Sequence, residues 1–187
     1  MPLPKRILIL GPSGAGKSTL ARRIGERLGL PVVHLDAIYW NPGWVPTEIG
    51  RFREMVAEAA ARDKWVMDGN YTTHLDLRLP RAEAVIWLDL PRYVYFLRSV
   101  WRMIRNFGRE RDDVGSGCPE RFELSFFRDW VWTYPTRSRA RHAELMANLP
   151  AGTHGIILRS AAEVAKFANN LPHSLDSSAG DSVGQQH

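Results

Sequence analysis

The sequence predicts an α/β fold: a five-stranded parallel sheet with helices on both faces. Three observations carry that expectation. Short apolar runs recur at 6–10, 31–36, 65–68, 84–89 and 154–158, mostly continuous rather than alternating, as suits strands covered on both sides. Stretches with apolar residues three and four apart lie between them, the pattern of crossover helices. The first run leads at once into Gly11-Pro12-Ser13-Gly14-Ala15-Gly16-Lys17-Ser18, a phosphate-binding pattern in its proper place between a strand and a helix.

The elements follow in chain order. Ile7, Leu8, Ile9 and Leu10 form the first strand. In the helix after the loop, Leu20, Ile24 and Leu28 share one face, and Gly29 suits its C-terminal cap. The second strand is expected over Pro31–Asp36, with His34 in phase with Asp36, and the stretch Ile38–Trp44 is read as an aromatic loop. Thr47 is expected to cap a helix whose apolar face holds Phe52, Met55, Val56 and Ala59. The third strand, Trp65–Asp68, again ends in a carboxylate. The fourth, Ala84–Asp89, precedes Pro91 and a helix to about Asn106. Five charged residues and three glycines between Phe107 and Pro119 predict a mobile loop. Helices are expected at about 120–132 and 135–148, then a fifth strand, then a helix opened by the capping pair Ser160 and Glu163. The domain is expected to span 1–171 with a lid region at about 103–134, and the Ser- and Gly-rich remainder, 172–187, to be a disordered tail.

The bulk composition narrows the class. A chain of 187 residues, 44% hydrophobic and 24% charged, suits one globular domain. The single cysteine, Cys118, allows no internal disulfide, which fits a reducing compartment. No apolar run approaches the ~20 residues of a membrane span or resembles a leader peptide. A cytoplasmic protein without membrane partners is the expectation. The net charge of +5 is concentrated: between Arg78 and Arg141 stand thirteen arginines, no lysine and eight carboxylates, and the difference of five equals the whole excess. Arginine forks suit phosphate. A basic surface of this kind also suits nucleic acid, although no helix-turn-helix, zinc or RNA-recognition pattern accompanies it.

The motifs assign roles. Backbone amides of Gly11, Pro12, Ser13, Gly14, Ala15, Gly16, Lys17, Ser18 and Thr19 (Pro12 has none to give) are expected to cradle the polyphosphate of ATP. Lys17 reaches the β- and γ-phosphates. Ser18 and Asp68 supply hard oxygens on the Mg²⁺ side. Asp36 can serve as base or hydrogen-bond acceptor for a substrate hydroxyl or cap the following turn. His34 and Tyr71 are further substrate candidates. Arg98 and Arg102, four apart on one helix, are expected to close over the transferring phosphoryl group, with Arg105, Arg109, Arg121, Arg128, Arg137, Arg139 and Arg141 as further cations. Trp40 and Trp44 can wall a substrate pocket or pack in the core.

Taken together, the phosphate loop, Val32-x-His34-Leu35-Asp36, Trp40-x-Pro42-Gly43-Trp44, Asp68-Gly69-Asn70-Tyr71, Val85–Pro91 and Cys118-Pro119-Glu120-Arg121-Phe122 resemble the adenylate-kinase-related P-loop proteins of the topology modulation group. The resemblance spans about 7–158 and implies a nucleoside monophosphate kinase-like fold with a lid. The Leu88-Asp89-Leu90-Pro91 motif followed by Arg98 and Arg102 is similar in spacing to adenylate kinase lid-entry arginines. Asn70-Tyr71-Thr72 stands where adenylate kinases carry the arginine that holds the acceptor nucleotide, so AMP is a poor candidate acceptor. The expected function is ATP-dependent phosphorylation of a small nucleotide-like or hydroxylated molecule. The alternatives are a nucleotide-regulated, nucleic-acid-associated regulator and a simple ATPase.

Overall fold

The computed structural model describes residues 3–120, 133–134 and 138–172. The helix expected near 120–132, the tail from 173, and Arg121, Arg128 and Arg137 lie outside them.

Five parallel strands form the main sheet: β1 (Arg6–Leu10), β2 (Val32–His34), β5 (Trp65–Asp68), β6 (Ala84–Leu88) and β7 (His154–Leu158), in the order β2-β5-β1-β6-β7. Alternate residues of each strand feed two apolar layers. Ile7, Ile9, Val66, Ala84 and Ile86 pack under α1 (Lys17–Leu28), with Leu20, Ile24 and Leu28 as the helix's contribution. Leu8, Leu10, Trp65, Met67, Val85 and Trp87 pack on the other face, under Phe52, Val56 and Ala60 of α3 (Ile49–Ala61). With both faces covered, the central strands are apolar apart from Arg6 at the start of β1 and Asp68 at the end of β5. Gly29 (φ 63°) closes α1 as expected. Ser160 Oγ accepts from the Glu163 amide to open α7 (Ala161–Asn169).

Four details differ from expectation. β2 ends at His34, and Asp36 stands in the first turn of α2 (Leu35–Tyr39). The chain turns there because Leu35 drops into the core beneath the sheet edge. The aromatic stretch after it is not loop throughout: Trp40–Asn41 (β3) and Val45–Pro46 (β4) pair antiparallel. Thr47 does not cap α3; its hydroxyl donates to the Ile38 carbonyl. Glu48 caps instead, its two carboxylate oxygens accepting from the amides of Gly50 and Arg51, the placement that suits an anion at a helix start. The fourth strand ends one residue early, at Leu88, because the Asp89 amide turns to the Leu158 carbonyl of the neighbouring strand's end.

After α4 (Leu75–Arg78) and β6, α5 (Arg92–Asn106) follows Pro91, and α6 (Ala140–Ala147) precedes β7. The segment between Phe107 and Pro119 lies docked on the β3–β4 hairpin. The Gly43 amide donates to Gly117 O (2.7 Å), Trp44 Nε1 to Pro119 O (2.9 Å) and Cys118 Sγ to Asn41 O (3.0 Å).

Candidate functional site

The parallel register brings the chemistry to one edge. Ile9 lies beside Asp68, and Asp68 beside His34, so the phosphate loop leaves β1 next to two polar strand ends. Ligands in such sheets sit at the carboxyl ends of the strands.

The loop is shaped by its neighbours. The Gly11 amide donates to Asn70 Oδ1 (3.0 Å), and the Ala15 amide to Pro12 O (3.2 Å). Gly14 has φ +80°, and a Cβ there would meet the Tyr95 carbonyl and Ser99 Oγ of α5, each at 2.3 Å. Only a glycine lets the loop lie directly on that helix. No side chain caps α1 at Gly16, which leaves its first amides for an anion.

Lys17 folds back so that Nζ donates to Pro12 O (3.1 Å). Burial pulls its ammonium below the usual lysine range, while Asp68 and then Asp36 pull it back. Asp68 is 3% exposed, and its Oδ1 lies 2.7 Å from His34 Nδ1. Burial opposes charge on His34, but the Asp68 contact outweighs it and raises the imidazole's affinity for a proton. Asp36 Oδ1 accepts from the Tyr71 hydroxyl at 2.6 Å. Burial raises the Asp36 carboxyl, with Tyr71 and Lys17 as the opposing influences. The structure thus brings Lys17, Asp36, Asp68, His34 and Tyr71 together, although Asp36 comes from a helix rather than a strand.

The arginines separate. Arg102 Nη2 donates to Ser13 Oγ at 3.3 Å. Arg98, one turn earlier, is exposed, because the row of α5 that faces the loop runs through Tyr95, Ser99 and Met103. Arg105 and Arg109 are exposed as well. Arg139 pairs with Asp89 through two bonds of 2.7 and 2.9 Å, and Arg141 reaches Thr72 Oγ1 at 3.2 Å. Asp89, Arg92, Tyr95, Tyr134, Arg139 and Arg159 line a cavity of about 420 Å³ above the ends of β6 and β7. Trp40 and Trp44 stack edge to face on the hairpin, their rings 5.6 Å apart.

Several site residues escape sequence reasoning. Arg78 is fully buried and donates to the carbonyls of Gly69, Asn70, Tyr71 and His74. It shapes the turn that presents Asn70 to the phosphate loop. Arg111, Asp113 and Glu120 form a partly buried ion cluster over the same loop. Glu120 lies inside a motif quoted above; nothing local marks the other three.

Comparison with known proteins accords with this geometry. The AAA family (ATPase family associated with various cellular activities) matches residues 7–89. Over 156 residues the chain is 30% identical to the uncharacterized protein YqaC of Bacillus subtilis (strain 168), a match covering 79% of this chain and 85% of that one. The chain belongs, with YqaC, to one family of P-loop NTPases. This P-loop protein is also 31% identical over 111 residues to adenylate kinase of Kosmotoga olearia, covering 58% of this chain and 50% of that enzyme. Its fold matches that of shikimate kinase from Acinetobacter baumannii, solved in complex with shikimate, with a TM-score of 0.57 at 18% identity over 88% of this chain and 89% of that one.

Proposed function

We propose that this P-loop protein is an ATP-dependent kinase that transfers the γ-phosphoryl group to a hydroxyl of a small molecule. The observation that carries the reading is the juxtaposition of Lys17, on the phosphate loop, with Asp36 and Asp68, whose charges both act on it. Phosphoryl transfer asks the protein for positioning and charge stabilisation. The loop amides and Lys17 hold the polyphosphate, and Arg102, already bonded to Ser13, stands over its far end. The cavity beside Tyr95 and Arg159 offers room for the nucleoside end. Asp36 accepts the proton of the attacking hydroxyl, and the burial that raises its pKa makes it a stronger base. Tyr71 holds that carboxylate in place. His34 orients Asp68, and Arg98 closes from the exposed side of α5.

Mg²⁺ fits the donor set. It takes one or two protein oxygens and otherwise keeps water and phosphate oxygens, and Ser18 and Asp68 offer that much. Among the described residues no group of three or more His, Cys, Asp or Glu could hold a metal alone, as suits an ion that arrives with the nucleotide. When bound, Mg²⁺ would neutralise charge on the β- and γ-phosphates.

The kinase names of the adenylate and shikimate kinase relatives support the reaction class. Asn70-Tyr71-Thr72 argues against AMP as acceptor. The likeness to the topology modulation group stays within this proposal as a matter of motifs. The arginine-rich half favours a cleft over a nucleic-acid surface: Arg78, Arg102, Arg111 and Arg139 are bonded within the protein. No helix among the described residues is long and apolar enough to cross a membrane; the single cysteine supports a reducing, cytoplasmic location.

The test is ATP turnover with a panel of nucleosides, nucleotides and hydroxylated metabolites. One acceptor is expected to raise ADP formation, and Lys17→Ala to abolish it. Equal phosphate release with and without every acceptor would make the protein a simple ATPase. Turnover by Lys17→Ala at the parent rate would rule the mechanism out.

A further inference from the structure

A chain of four charged side chains spans the phosphate loop from one hydroxyl to another. Arg102 Nη2 donates to Ser13 Oγ (3.3 Å), and Arg102 Nε lies 3.8 Å from Glu120 Oε1. Glu120 Oε2 accepts from Arg111 Nη1 (2.9 Å). Arg111 then grips both oxygens of Asp113, through Nε (3.0 Å) and Nη2 (2.6 Å). Asp113 in turn faces the hydroxyl of Ser18. Side-chain exposure along the arch is 26% for Arg102, 10% for Glu120, 15% for Arg111 and 12% for Asp113.

The arch is neutral: two guanidiniums face two carboxylates. A cleft waiting for polyphosphate would be expected to hold a net positive charge there. The geometry of Asp113 resolves the mismatch. Two coplanar anionic oxygens on an arginine fork, with a loop hydroxyl at the same group, reproduce the contacts a phosphate makes. We propose that Asp113 is an internal stand-in for a nucleotide phosphate, and that Arg111 is a phosphate-binding residue which Asp113 holds in position until nucleotide arrives. The inference rests on the phosphate loop being a nucleotide site.

On entry of polyphosphate, its oxygens take the Arg111 fork and Ser18 is released from Asp113. No covalent bond changes. Glu120 keeps Arg111 over the loop, since it accepts from Nη1 while Asp113 takes Nε and Nη2 on the other edge of the guanidinium. The exchange moves only the span near 110–114, because Arg109 is tied to Asn106 and Glu120 and residues 115–119 are held on the hairpin. A role for Asp113 as metal ligand fits less well, since Arg111 occupies both of its oxygens and would repel a cation there.

The sign of one substitution decides the matter. Calorimetry would measure ATP and inorganic tripolyphosphate binding, with and without Mg²⁺, to the parent, Asp113→Asn, Arg111→Gln, the double variant and the control Asp112→Asn, with thermal unfolding to check folding. Asp113→Asn is expected to bind both ligands about tenfold more tightly, since a neutral amide competes poorly for the fork. Arg111→Gln is expected to bind about tenfold more weakly and the double variant to match it, with Asp112→Asn unchanged. Equal or weaker binding by folded Asp113→Asn overturns the proposal. Weakening only with Mg²⁺ would make Asp113 a metal ligand, and equal weakening in both single variants a structural pair. Parent binding that is lost in Lys17→Ala keeps the nucleotide reading standing whatever Asp113→Asn shows. If neither the parent nor Asp113→Asn binds either ligand, both readings fall.

Discussion

Tyr71 and Asp36 form the contact on which the proposed base catalysis rests. Burial and the adjacent carboxylate push the Tyr71 hydroxyl far above its ordinary range, so it remains a donor throughout the working pH range. A bond donated to the charged form of a carboxylate lowers its pKa, so its removal raises it. Tyr71→Phe should therefore move the acidic limb of the rate–pH profile upward, with ATP affinity unchanged, as steady-state kinetics against pH would show. His142 offers a stability prediction. It is wholly buried, its Nδ1 lies 2.8 Å from the Tyr134 hydroxyl, and burial pushes its pKa down to about 4. The unfolded chain binds a proton near pH 6.5, the folded one only near 4. Stability should thus fall as pH drops through that window, by up to about 1.4 kcal/mol per unit. Urea denaturation at pH 7.5 and 5 should show the loss, and His142→Phe should remove this contribution. Neither contact was legible beforehand: Tyr71 and Asp36 stand 35 residues apart, and no local pattern pairs Tyr134 with His142 eight residues on.

At the scale of elements, the turn after β5 is the most vulnerable part. Arg78 holds four carbonyls there, and burial lowers its pKa to about 10, which leaves it charged near neutrality. Arg78→Met would strand these carbonyls in an apolar setting at a cost of roughly 3 kcal/mol, measurable by urea titration, and loosen Asn70 from Gly11. The contact of the phosphate loop with α5 gives a second prediction. Gly14→Ala would drive a Cβ into Tyr95 O and Ser99 Oγ in a backbone conformation that alanine resists. ATP affinity should fall more than tenfold by calorimetry, while the sheet remains folded by far-UV circular dichroism. Helix α5 also shows the limit of periodicity: spacing put Arg98 and Arg102 on one face, yet the seam facing the loop runs through Tyr95, Ser99 and Met103, and of the two arginines Arg102 bonds the loop while Arg98 is exposed.

Across the whole molecule, the β3–β4 hairpin and the 107–119 segment are docked to each other. Gly115 lies against the hairpin so closely that a Cβ would sit 1.8 Å from the Trp40 carbonyl. Gly115→Ala should part the two, raising hydrogen exchange in 108–119 by about tenfold while the amides of β1, β5 and β6 keep their protection. The core sheet, the phosphate loop, the α1 cap and the capping pair of α7 were all open to reading in advance. Each depends on residues a few positions apart, whose strand run, helical period or turn chemistry acts within one element. Which arginines enter the cleft, that Asp36 stands on a helix turned by the burial of Leu35, and that Asp113 answers Arg111 above Ser18 were decided by packing. Those outcomes depend on distances between segments dozens of residues apart, and no local pattern encodes such a distance.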